Sequence, residues 1–283
     1  MTKIAIIGAG AMGSGVARRL HENGCTILTL LDGRSDATRA RADAAGMVVA
    51  TLDEIAEAEL ILSIVPPAQA ETVVETLAPI FARPAPPCSA MPLFCDANAL
   101  SPETKHRMAA RVAQLGGRMV DGSIIGFPPA ENYDGPRLYV CGDGAAEVAA
   151  TINPFGLDTR ELEGPLGAAA ALKMCYGGIN KGVMGLVTAM LLAAQRHGAD
   201  KDLMKEMAIS MEWLMGRQRG AIPTMYPRAY RWDAEMHEIA GFVAPDDAPA
   251  AAIWHGLGDF FTDRARAYEA GEELEAIQQL LAR

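Results

Sequence analysis

Positive charge, paired cysteines and long apolar runs are all scarce in this sequence of 283 residues. Its 25 basic side chains are outnumbered by 35 acidic ones, and the net charge of -10 opposes binding to nucleic acids and to anionic membranes. No apolar run reaches the roughly 20 residues that a membrane span needs. The apolar start at residues 4–7 leads directly into glycines, without the basic leader or cleavage site of a signal peptide. We therefore expect neither a nucleic-acid partner nor a membrane partner.

None of the five cysteines forms the short paired spacing of a zinc site or a redox dithiol; they stand at positions 25, 88, 95, 141 and 175. An odd number of separated cysteines is typical of reduced, mostly buried thiols in a cytoplasmic protein. The five histidines are also scattered, and no ligand spacing joins them. The sequence therefore predicts no metal site.

Half of the residues are hydrophobic, and in the first half of the chain they form short runs that alternate with helical stretches. The apolar runs lie at 3–8, 26–31, 60–65, 92–96, 118–124 and 138–141. The helix-forming stretches between them lie at 13–23, 53–57, 68–82 and 102–115. This rhythm predicts an α/β domain whose mostly parallel sheet is wrapped by helices.

The alternation stops near Gly164, and the rest of the chain has a helical pattern. Pro165 suits the first position of a helix, and only scattered glycines interrupt the stretch from there to Gly198. That stretch predicts one helix of roughly 30 residues, or two in tandem. We therefore expect two domains, 1–163 and 164–283, of which the second is all-helical, joined by a long interdomain helix.

A glycine-rich turn follows the first apolar run and opens an amphipathic helix; its sequence is Gly8-Ala9-Gly10-Ala11-Met12-Gly13. Gly8 permits the tight turn, and Gly10 lets backbone amides approach a pyrophosphate. Gly13 allows the helix to pack closely on the strand while its amino end faces the phosphates. The strand-to-helix context predicts a dinucleotide-binding site made by residues 8–13.

The choice between NAD and NADP depends on the end of the second apolar run. Asp32 could accept hydrogen bonds from the ribose hydroxyls and repel a 2′-phosphate. Arg34 and the Ser35 hydroxyl could instead hold that phosphate by charge-assisted hydrogen bonds. The two signals conflict; we favour NADP over NAD.

Lys173 is the best candidate in the chain for a general acid or base. It lies in an otherwise apolar stretch, where burying an ammonium group without a purpose is costly. On a helix, Tyr176, Gly177 and Asn180 fall within roughly 60° of Lys173, so one face offers an amine, a phenol, a gap and an amide. Partial burial and a nearby nicotinamide cation would lower the pKa of such a lysine toward the working range of proton transfer.

Three further segments complete a resemblance to the β-hydroxyacid dehydrogenase superfamily, which includes 3-hydroxyisobutyrate and 6-phosphogluconate dehydrogenases and is related to the imine reductases. The segment Asp96-Ala97-Asn98-Ala99-Leu100-Ser101-Pro102 resembles the family's strand-end motif, and Asp121-Gly122-Ser123-Ile124-Ile125-Gly126 resembles its substrate-binding loop. Residues 164–173 resemble the catalytic-helix motif, and Ser63-Ile64-Val65-Pro66 matches the cofactor-flanking turn. The order and spacing of these segments cover nearly the whole chain.

The resemblance implies a Rossmann domain followed by a helical substrate and dimerisation domain. It also implies that Lys173 is the catalytic lysine and that Val65, Pro66 and Asn98 contact the cofactor. A small-molecule substrate and a cytoplasmic homodimer with a shared active site are further expectations from the family.

Two departures from the family pattern concern the substrate. Ile125 stands where the hydroxyacid enzymes usually carry a serine that binds a carboxylate, and Gly177 replaces the usual asparagine one turn after the lysine. Asn180, one turn further, is the substitute that we expect to act with Lys173. The substrate-binding residues expected here are Ser123, Ile124, Ile125, Gly126, Tyr176 and Gly177. A roomier, apolar wall is predicted from Ile124, Ile125, Phe127 and Pro128. The segment Asp121-Gly122-Ser123-Ile124 resembles the corresponding loop of imine reductases.

Three functions are consistent with these features. The first is an NAD(P)-dependent oxidoreductase that moves a hydride between nicotinamide and a carbonyl or alcohol carbon, with Lys173 exchanging the proton. The second is an imine reductase acting on a C=N bond, although imine reductases normally replace the lysine. The third is a dinucleotide sensor without catalytic activity.

Overall fold

The fold is that of a computed structural model, which describes residues 2–83 and 91–282. The chain divides into two compact units, Met1–Lys173 and Met174–Arg283. Residues 164–173, which the sequence pattern places in the second domain, belong to the first of these units. The predicted boundary between residues 163 and 164 stays a prediction.

The first unit is built on one eight-stranded sheet with the strand order β3-β2-β1-β4-β5-β6-β7-β8. Its strands are β1 Lys3–Ile7, β2 Thr26–Thr29, β3 Met47–Val49, β4 Leu60–Ser63, β5 Leu93–Asp96, β6 Met119–Ile125, β7 Arg137–Cys141 and β8 Asp158–Glu161. The chain leaves β1 toward β2 and β3, and then returns to the other side of β1 with β4. In such a sheet, ligands bind at this reversal, beyond the carboxyl ends of the strands.

The mostly parallel α/β sheet predicted from the sequence is confirmed. In the part of the chain that the structure describes, all strand pairs are parallel except β6 with β7. Each of the six apolar runs overlaps a strand, whereas β3 and β8 were missed. Both missed strands lie at sheet edges and are only partly buried; Val48 and Val49 of β3 are more than half exposed. Neither strand therefore has the apolar run that marks a buried strand.

Helices of the first unit cover both faces of the sheet. They are α1 Ala11–Glu22, α2 Asp36–Ala44, α3 Leu52–Ile55, α4 Ala70–Phe81, α5 Pro102–Gln114 and α6 Ala145–Ile152. Alternate residues of β1 serve the two cores: Ile4 and Ile6 belong to one apolar cluster, and Ala5 and Ile7 to the other. A strand buried on both faces reads as a continuous apolar run, which is why this sheet was visible in the sequence.

A single helix, α7, spans Ala168–Arg196 and thus continues from the first unit into the second. The remaining helices are α8 Asp200–Ser210, α9 Glu212–Met225, α10 Trp232–Val243, α11 Ala248–Glu269 and α12 Leu274–Leu281. Of the two alternatives predicted for the stretch from Pro165, a single helix is correct, and it has 29 residues. The all-helical pattern predicted for the rest of the chain is also confirmed.

Gly178, Gly182 and Gly185 of α7 lie against large side chains of α11. A Cβ at Gly182 would lie 3.0 Å from the Trp254 ring, and one at Gly185 would lie 2.7 Å from Leu257. Each helical glycine costs about 1 kcal/mol relative to alanine. The close packing of α7 on α11 within the second unit offsets that cost, because any larger residue would push the two helices apart.

By length and composition alone, α7 could cross a membrane, which corrects the expectation that no apolar stretch is long enough. Of its most apolar 18-residue window, 39% is buried inside the protein. The core helix of a soluble protein passes the same test, and the glycine face of α7 is packed on α11. Within residues 2–83 and 91–282, no other helix meets the same length and hydropathy criteria.

Cys25, Cys95 and Cys141 are buried free thiols, as predicted, whereas Cys175 is exposed and Cys88 lies outside the described residues. Burial raises the pKa of Cys25 to about 11 and that of Cys141 to about 11, so both thiols stay protonated at neutral pH. Within residues 2–83 and 91–282, no group of three or more His, Cys, Asp or Glu side chains could hold a metal ion.

Candidate active site

The glycine turn between β1 and α1 has a geometry that only glycine supports. Gly8 has φ +119°, and a Cβ there would lie 2.2 Å from the Ile64 carbonyl oxygen. A Cβ at Gly13 would lie 1.8 Å from the carbonyl oxygen of Gly8. Any side chain at either position would therefore break the close approach of α1 to the first strand.

Gly10 is different, because a Cβ there would meet no heavy atom of the protein within 4 Å. Gly10 is the N-cap of α1 and has ordinary extended backbone angles, φ -74° and ψ -176°. No side chain caps this helix, and its first turn carries no acidic residue. The open space and the amide-rich helix end fit the pyrophosphate of a dinucleotide, which the N-terminal half-charge of α1 would attract.

The end of β2 opens on a cavity of about 290 Å³ that Asp32, Arg34 and Gln69 help to line. Arg34 donates a hydrogen bond from Nη1 to Gln69 Oε1 over 3.1 Å. Ser35 begins α2 as its N-cap, and its hydroxyl lies 3.1 Å from Thr38 Oγ1. Asp32 and Arg34, the two residues with opposed implications for the cofactor, thus line the same cavity.

Two further arginines at this end of the sheet were missed by the sequence analysis. Arg41 donates from Nε to the carbonyl oxygen of Ala9, in the glycine turn, over 3.0 Å. Arg39 donates from Nη2 to the carbonyl oxygen of Leu31 over 2.6 Å. Both belong to α2, which the sequence analysis did not predict; Ser35 as a possible N-cap was the available signal.

Asn98 joins the two cofactor-flanking segments predicted from the sequence. Its side chain is buried, and Oδ1 accepts a hydrogen bond from the backbone N–H of Val65 over 2.6 Å. Its Nδ2 donates to Ser63 Oγ over 2.9 Å and to Asp96 Oδ2 over 2.5 Å. The amide therefore holds the Val65–Pro66 turn against the end of β5.

A buried lysine that the sequence analysis did not single out lies behind Asn98. Lys105 Nζ is 2.5 Å from Asp96 Oδ1 and 3.1 Å from Asp121 Oδ1, and all three side chains are fully buried. It also donates to the backbone oxygens of Asp96 and Gly122. Burial alone would lower the pKa of Lys105, but the two carboxylates outweigh it and raise that pKa above its ordinary value. The ammonium therefore stays charged at neutral pH.

The signal for Lys105 was its spacing. Lys105, Met108 and Val112 are the buried residues of α5, and they follow each other at intervals of three and four. A charged residue on the apolar face of a helix needs a buried partner, and the available acids were Asp96, at the end of one apolar run, and Asp121, within the next.

The second oxygen of Asp121 lies at the beginning of α7. Oδ2 accepts hydrogen bonds from the backbone N–H groups of Gly167, over 3.1 Å, and Ala170, over 3.0 Å. Cys141 Sγ accepts one from the N–H of Ala169 over 3.2 Å, and itself lies 3.3 Å from Asp121 Oδ2. Side chains of β6 and β7 thus satisfy backbone donors that a helix end otherwise leaves without partners.

Residues expected to bind substrate lie at the carboxyl end of β6. Ser123 and Ile124 are buried in the strand, Ile125 is half-buried, and Gly126 follows with φ +128°. The Ser123 hydroxyl is fully buried and has no hydrogen-bond partner among the described residues. Its proposed contact with substrate stays a prediction.

The α7 candidates differ in their surroundings. Lys173 is half-buried and is the last residue of the first unit. In the second unit, Tyr176 is 47% exposed, and Asn180 Oδ1 accepts a hydrogen bond from Arg217 Nη2 over 2.9 Å. A Cβ at Gly177 would lie 3.4 Å from Glu235 Oε1. Neither Arg217 nor Lys181 was among the residues predicted from the sequence; Lys181 Nζ lies 2.5 Å from Glu235 Oε1.

The family model of the NAD binding domain of 6-phosphogluconate dehydrogenase matches residues 3–154, more than half of the chain. The chain belongs to the β-hydroxyacid dehydrogenase superfamily. This member is an NAD(P)-dependent dehydrogenase or reductase. A second family model, described as a domain of unknown function, DUF1932, matches residues 194–270. No curated protein sequence matches the chain.

Solved structures of similar fold match nearly the full length of this chain. A conserved hypothetical protein from Sinorhizobium meliloti 1021 is 25% identical with a TM-score of 0.79, covering 100% of this chain and 96% of that one. The 3-hydroxyisobutyrate dehydrogenase of Mycobacterium tuberculosis, solved with L-serine, is 19% identical with a TM-score of 0.70 and full coverage of both chains. An imine reductase from Myxococcus stipitatus in complex with NADP+ is 16% identical with a TM-score of 0.57, covering 95% of each chain.

Proposed function

We propose that this β-hydroxyacid dehydrogenase relative is an NADP-preferring oxidoreductase that interconverts a carbonyl and an alcohol, with Lys173 as general acid and base. The observation that carries the proposal is the placement of Lys173. Lys173 is half-buried in an apolar stretch, about one turn beyond a helix end that Asp121 and Cys141 hold to the sheet. This placement puts Lys173 on a helix whose start is bonded to the same sheet that carries the cofactor-flanking segments.

The cofactor and Lys173 have separate roles in the proposed reaction. When bound, the nicotinamide supplies the hydride to the carbonyl carbon, or accepts it in the reverse direction. Lys173 in its ammonium form donates a proton to the carbonyl oxygen as negative charge develops there, and its amine form takes the proton back during alcohol oxidation. The cofactor-binding residues that we propose are residues 8–13, Arg34, Ser35, Val65, Pro66 and Asn98.

The substrate that we propose carries an apolar group beside its carbonyl. Ile124 and Ile125 offer no donor to a carboxylate, and they would form an apolar wall next to the reacting carbon. Ser123, Tyr176 and Asn180 are the proposed polar groups that orient the substrate oxygen, and Gly177 leaves space for the substrate.

The experiment is an assay of NADPH and NADH consumption across keto acids, aldehydes, aryl ketones and cyclic imines, together with an assay of NADP+ and NAD+ reduction by hydroxy acids and other alcohols. We expect aldehydes or ketones with apolar substituents to be reduced faster than small keto acids. Consumption of NADPH or NADH with small keto acids alone would contradict the proposal of an apolar wall. No activity with any carbonyl compound, or with any alcohol in reverse, would contradict the proposed reaction.

Imine reduction is the second candidate, and the loop at residues 121–124 is the observation that favours it. The same apolar wall would accept a bulky amine, and the fold is shared with the Myxococcus stipitatus imine reductase. Reduction of cyclic imines without reduction of any ketone would favour this function over the first.

Arg34 is predicted to determine the preference for NADP. Its guanidinium lines the cavity at the end of β2, where it could pair with a 2′-phosphate. Replacing it with alanine should raise KM for NADPH by about 10–100-fold, the effect of losing one charge-assisted hydrogen bond, and leave KM for NADH within about twofold. Steady-state kinetics with both cofactors check this. A wild-type enzyme that prefers NADH by about tenfold or more would show that Asp32 decides instead.

We further propose a cytoplasmic homodimer in which α7 contributes to the interface. Ile179, Leu186 and Met190 are each more than half exposed, and they lie within about 40° of one another on the helix. Leu186→Asp should shift the protein from dimer to monomer in sedimentation equilibrium. Ile209→Asp, at an 82% exposed position on α8, is the control that should leave the mass unchanged. A monomeric wild-type protein would contradict the proposal.

A further inference from the structure

A continuous set of buried polar contacts runs through the first unit from the cofactor-flanking turn to α7. Val65 N–H binds Asn98, Asn98 binds Asp96, and Asp96 binds Lys105. Lys105 contacts Asp121, whose other oxygen binds the first turn of α7. One ammonium group therefore joins β5, which ends two residues before Asn98, to the helix that carries Lys173.

The contacts at the start of α7 constrain the helix in a way that a local cap does not. An N-cap side chain moves with its own helix, whereas Asp121 belongs to β6, whose neighbours on both sides are strands of the sheet. Its Oδ2 binds N–H groups three residues apart, at Gly167 and Ala170. Two bonds to one oxygen fix the position of the first turn and also its rotation about the helix axis.

The rotation of that turn sets the direction of the reactive amine. Lys173 follows Ala170 by three residues, which places it on nearly the same side of the helix, about 4.5 Å further along the axis. A change in the rotation of the first turn of α7 would therefore move the Lys173 amine away from the reacting oxygen. Misplacement of a catalytic group by about 1 Å can cost about 100-fold in rate.

Lys105 keeps Asp121 available for this task. The fully buried carboxylate would be costly as an unpaired anion, and Lys105 Nζ, 3.1 Å from Oδ1, supplies its counter-charge from the side opposite to α7. The same ammonium holds Asp96, so the position of α7 and the position of Asn98 depend on one shared group.

We propose that Asp121, held by Lys105, is a positioning residue that sets the orientation of Lys173 for proton transfer. The proposal rests on the proposed function of Lys173. Asp121 does not touch substrate or cofactor in this role; it acts through the backbone of α7.

Asp121→Asn tests the proposal, because asparagine keeps the size of the side chain but loses its charge and one acceptor. We expect kcat to fall by about 10–100-fold, with KM for substrate and the Kd of NADPH changed by less than about threefold. Hydrogen exchange at residues 167–173 should become faster, while the amides of β1 and β4 keep their protection. The matched control is Glu54→Gln, which removes a capping carboxylate from α3 and should leave kcat unchanged.

A double-mutant cycle separates positioning from general destabilisation. In a Lys173→Ala background, Asp121→Asn should lower the residual rate no further, because its effect requires the amine. If Asp121→Asn is insoluble, Cys141→Ala removes the neighbouring contact with Ala169 and should lower kcat by about fivefold without raising KM.

Additive losses in the cycle would overturn the positioning role, as would a wild-type kcat in Asp121→Asn, or a rise in KM with kcat unchanged. An inactive Lys173→Ala beside an unaffected Asp121→Asn would overturn the positioning role and leave the proposed function intact. Wild-type activity in Lys173→Ala would instead overturn the proposed function itself.

Discussion

Replacing Lys173 with alanine is expected to lower kcat by about 10²–10⁴-fold, the usual contribution of a positioned general acid. The Kd of NADPH should stay within about twofold, because the variant leaves the glycine turn and the cavity at the end of β2 intact. Rapid-quench or steady-state kinetics with the best carbonyl substrate, together with calorimetric titration of NADPH, measure the two quantities separately.

Lys173→Arg distinguishes proton transfer from simple charge. Arginine keeps the positive charge but does not lose a proton near neutral pH, so it should recover little of the lost rate. Lys205→Ala, at an exposed position on α8, is the control for the loss of a lysine and should have wild-type kinetics. Full activity in Lys173→Arg would show that the charge alone matters, and full activity in Lys173→Ala would contradict any role in catalysis.

Replacing Lys105 with methionine is expected to lower the free energy of unfolding of the first unit by about 3–5 kcal/mol, because two buried carboxylates then lose their counter-charge. Such a loss is a large part of the roughly 5–15 kcal/mol that stabilises a typical domain. The pKa of Lys105 is raised in the folded protein, so its stabilising contribution is fully present at neutral pH. It is lost only as the pH rises through that raised value.

The measurement must report on the first unit. All three tryptophans, Trp213, Trp232 and Trp254, lie in the second, so indole fluorescence would follow the wrong part of the chain. Urea denaturation is therefore followed by hydrogen exchange at the β5 and β6 amides. Lys3→Met is the matched control, because its ion pair with Glu57 is exposed and worth at most about 1 kcal/mol. A loss of similar size in both variants would contradict the role assigned to the buried ammonium.

Much of the fold could be predicted from the sequence because burial and period are local signals. The strands buried on both faces appear as apolar runs, and the glycine turn has a fixed spacing that follows from backbone sterics. The direction of β7 could not be predicted, because an apolar run looks the same in a parallel and an antiparallel strand. The edge strands β3 and β8 are short and partly exposed, so they lack that pattern.

The candidate site could be predicted only in part, because several of its residues are paired by tertiary contacts and not by local sequence spacing. Lys173 is marked by a charge in an apolar stretch, and Asn98 by its resemblance to a known motif. The role of Lys105 depends on Asp96 and Asp121, which are 9 and 16 positions away in the chain and meet only after the sheet forms. Arg41 likewise reaches Ala9 across the fold. Pairings of this kind are set by tertiary structure and leave little trace in local spacing.

Strand β6 has a consequence for engineering the enzyme toward other substrates. Its first residues hold Lys105 and α7, whereas Ile124 and Ile125 at its far end form the proposed wall. A Cβ at Gly122 would lie 2.8 Å from the Cys95 sulfur, so this position tolerates no randomisation. Libraries at residue 125, which is half-buried, can reshape selectivity. Diversity at residues 121, 122 and 124 would mainly destabilise the protein, because Ile124 belongs to the apolar core of the first unit.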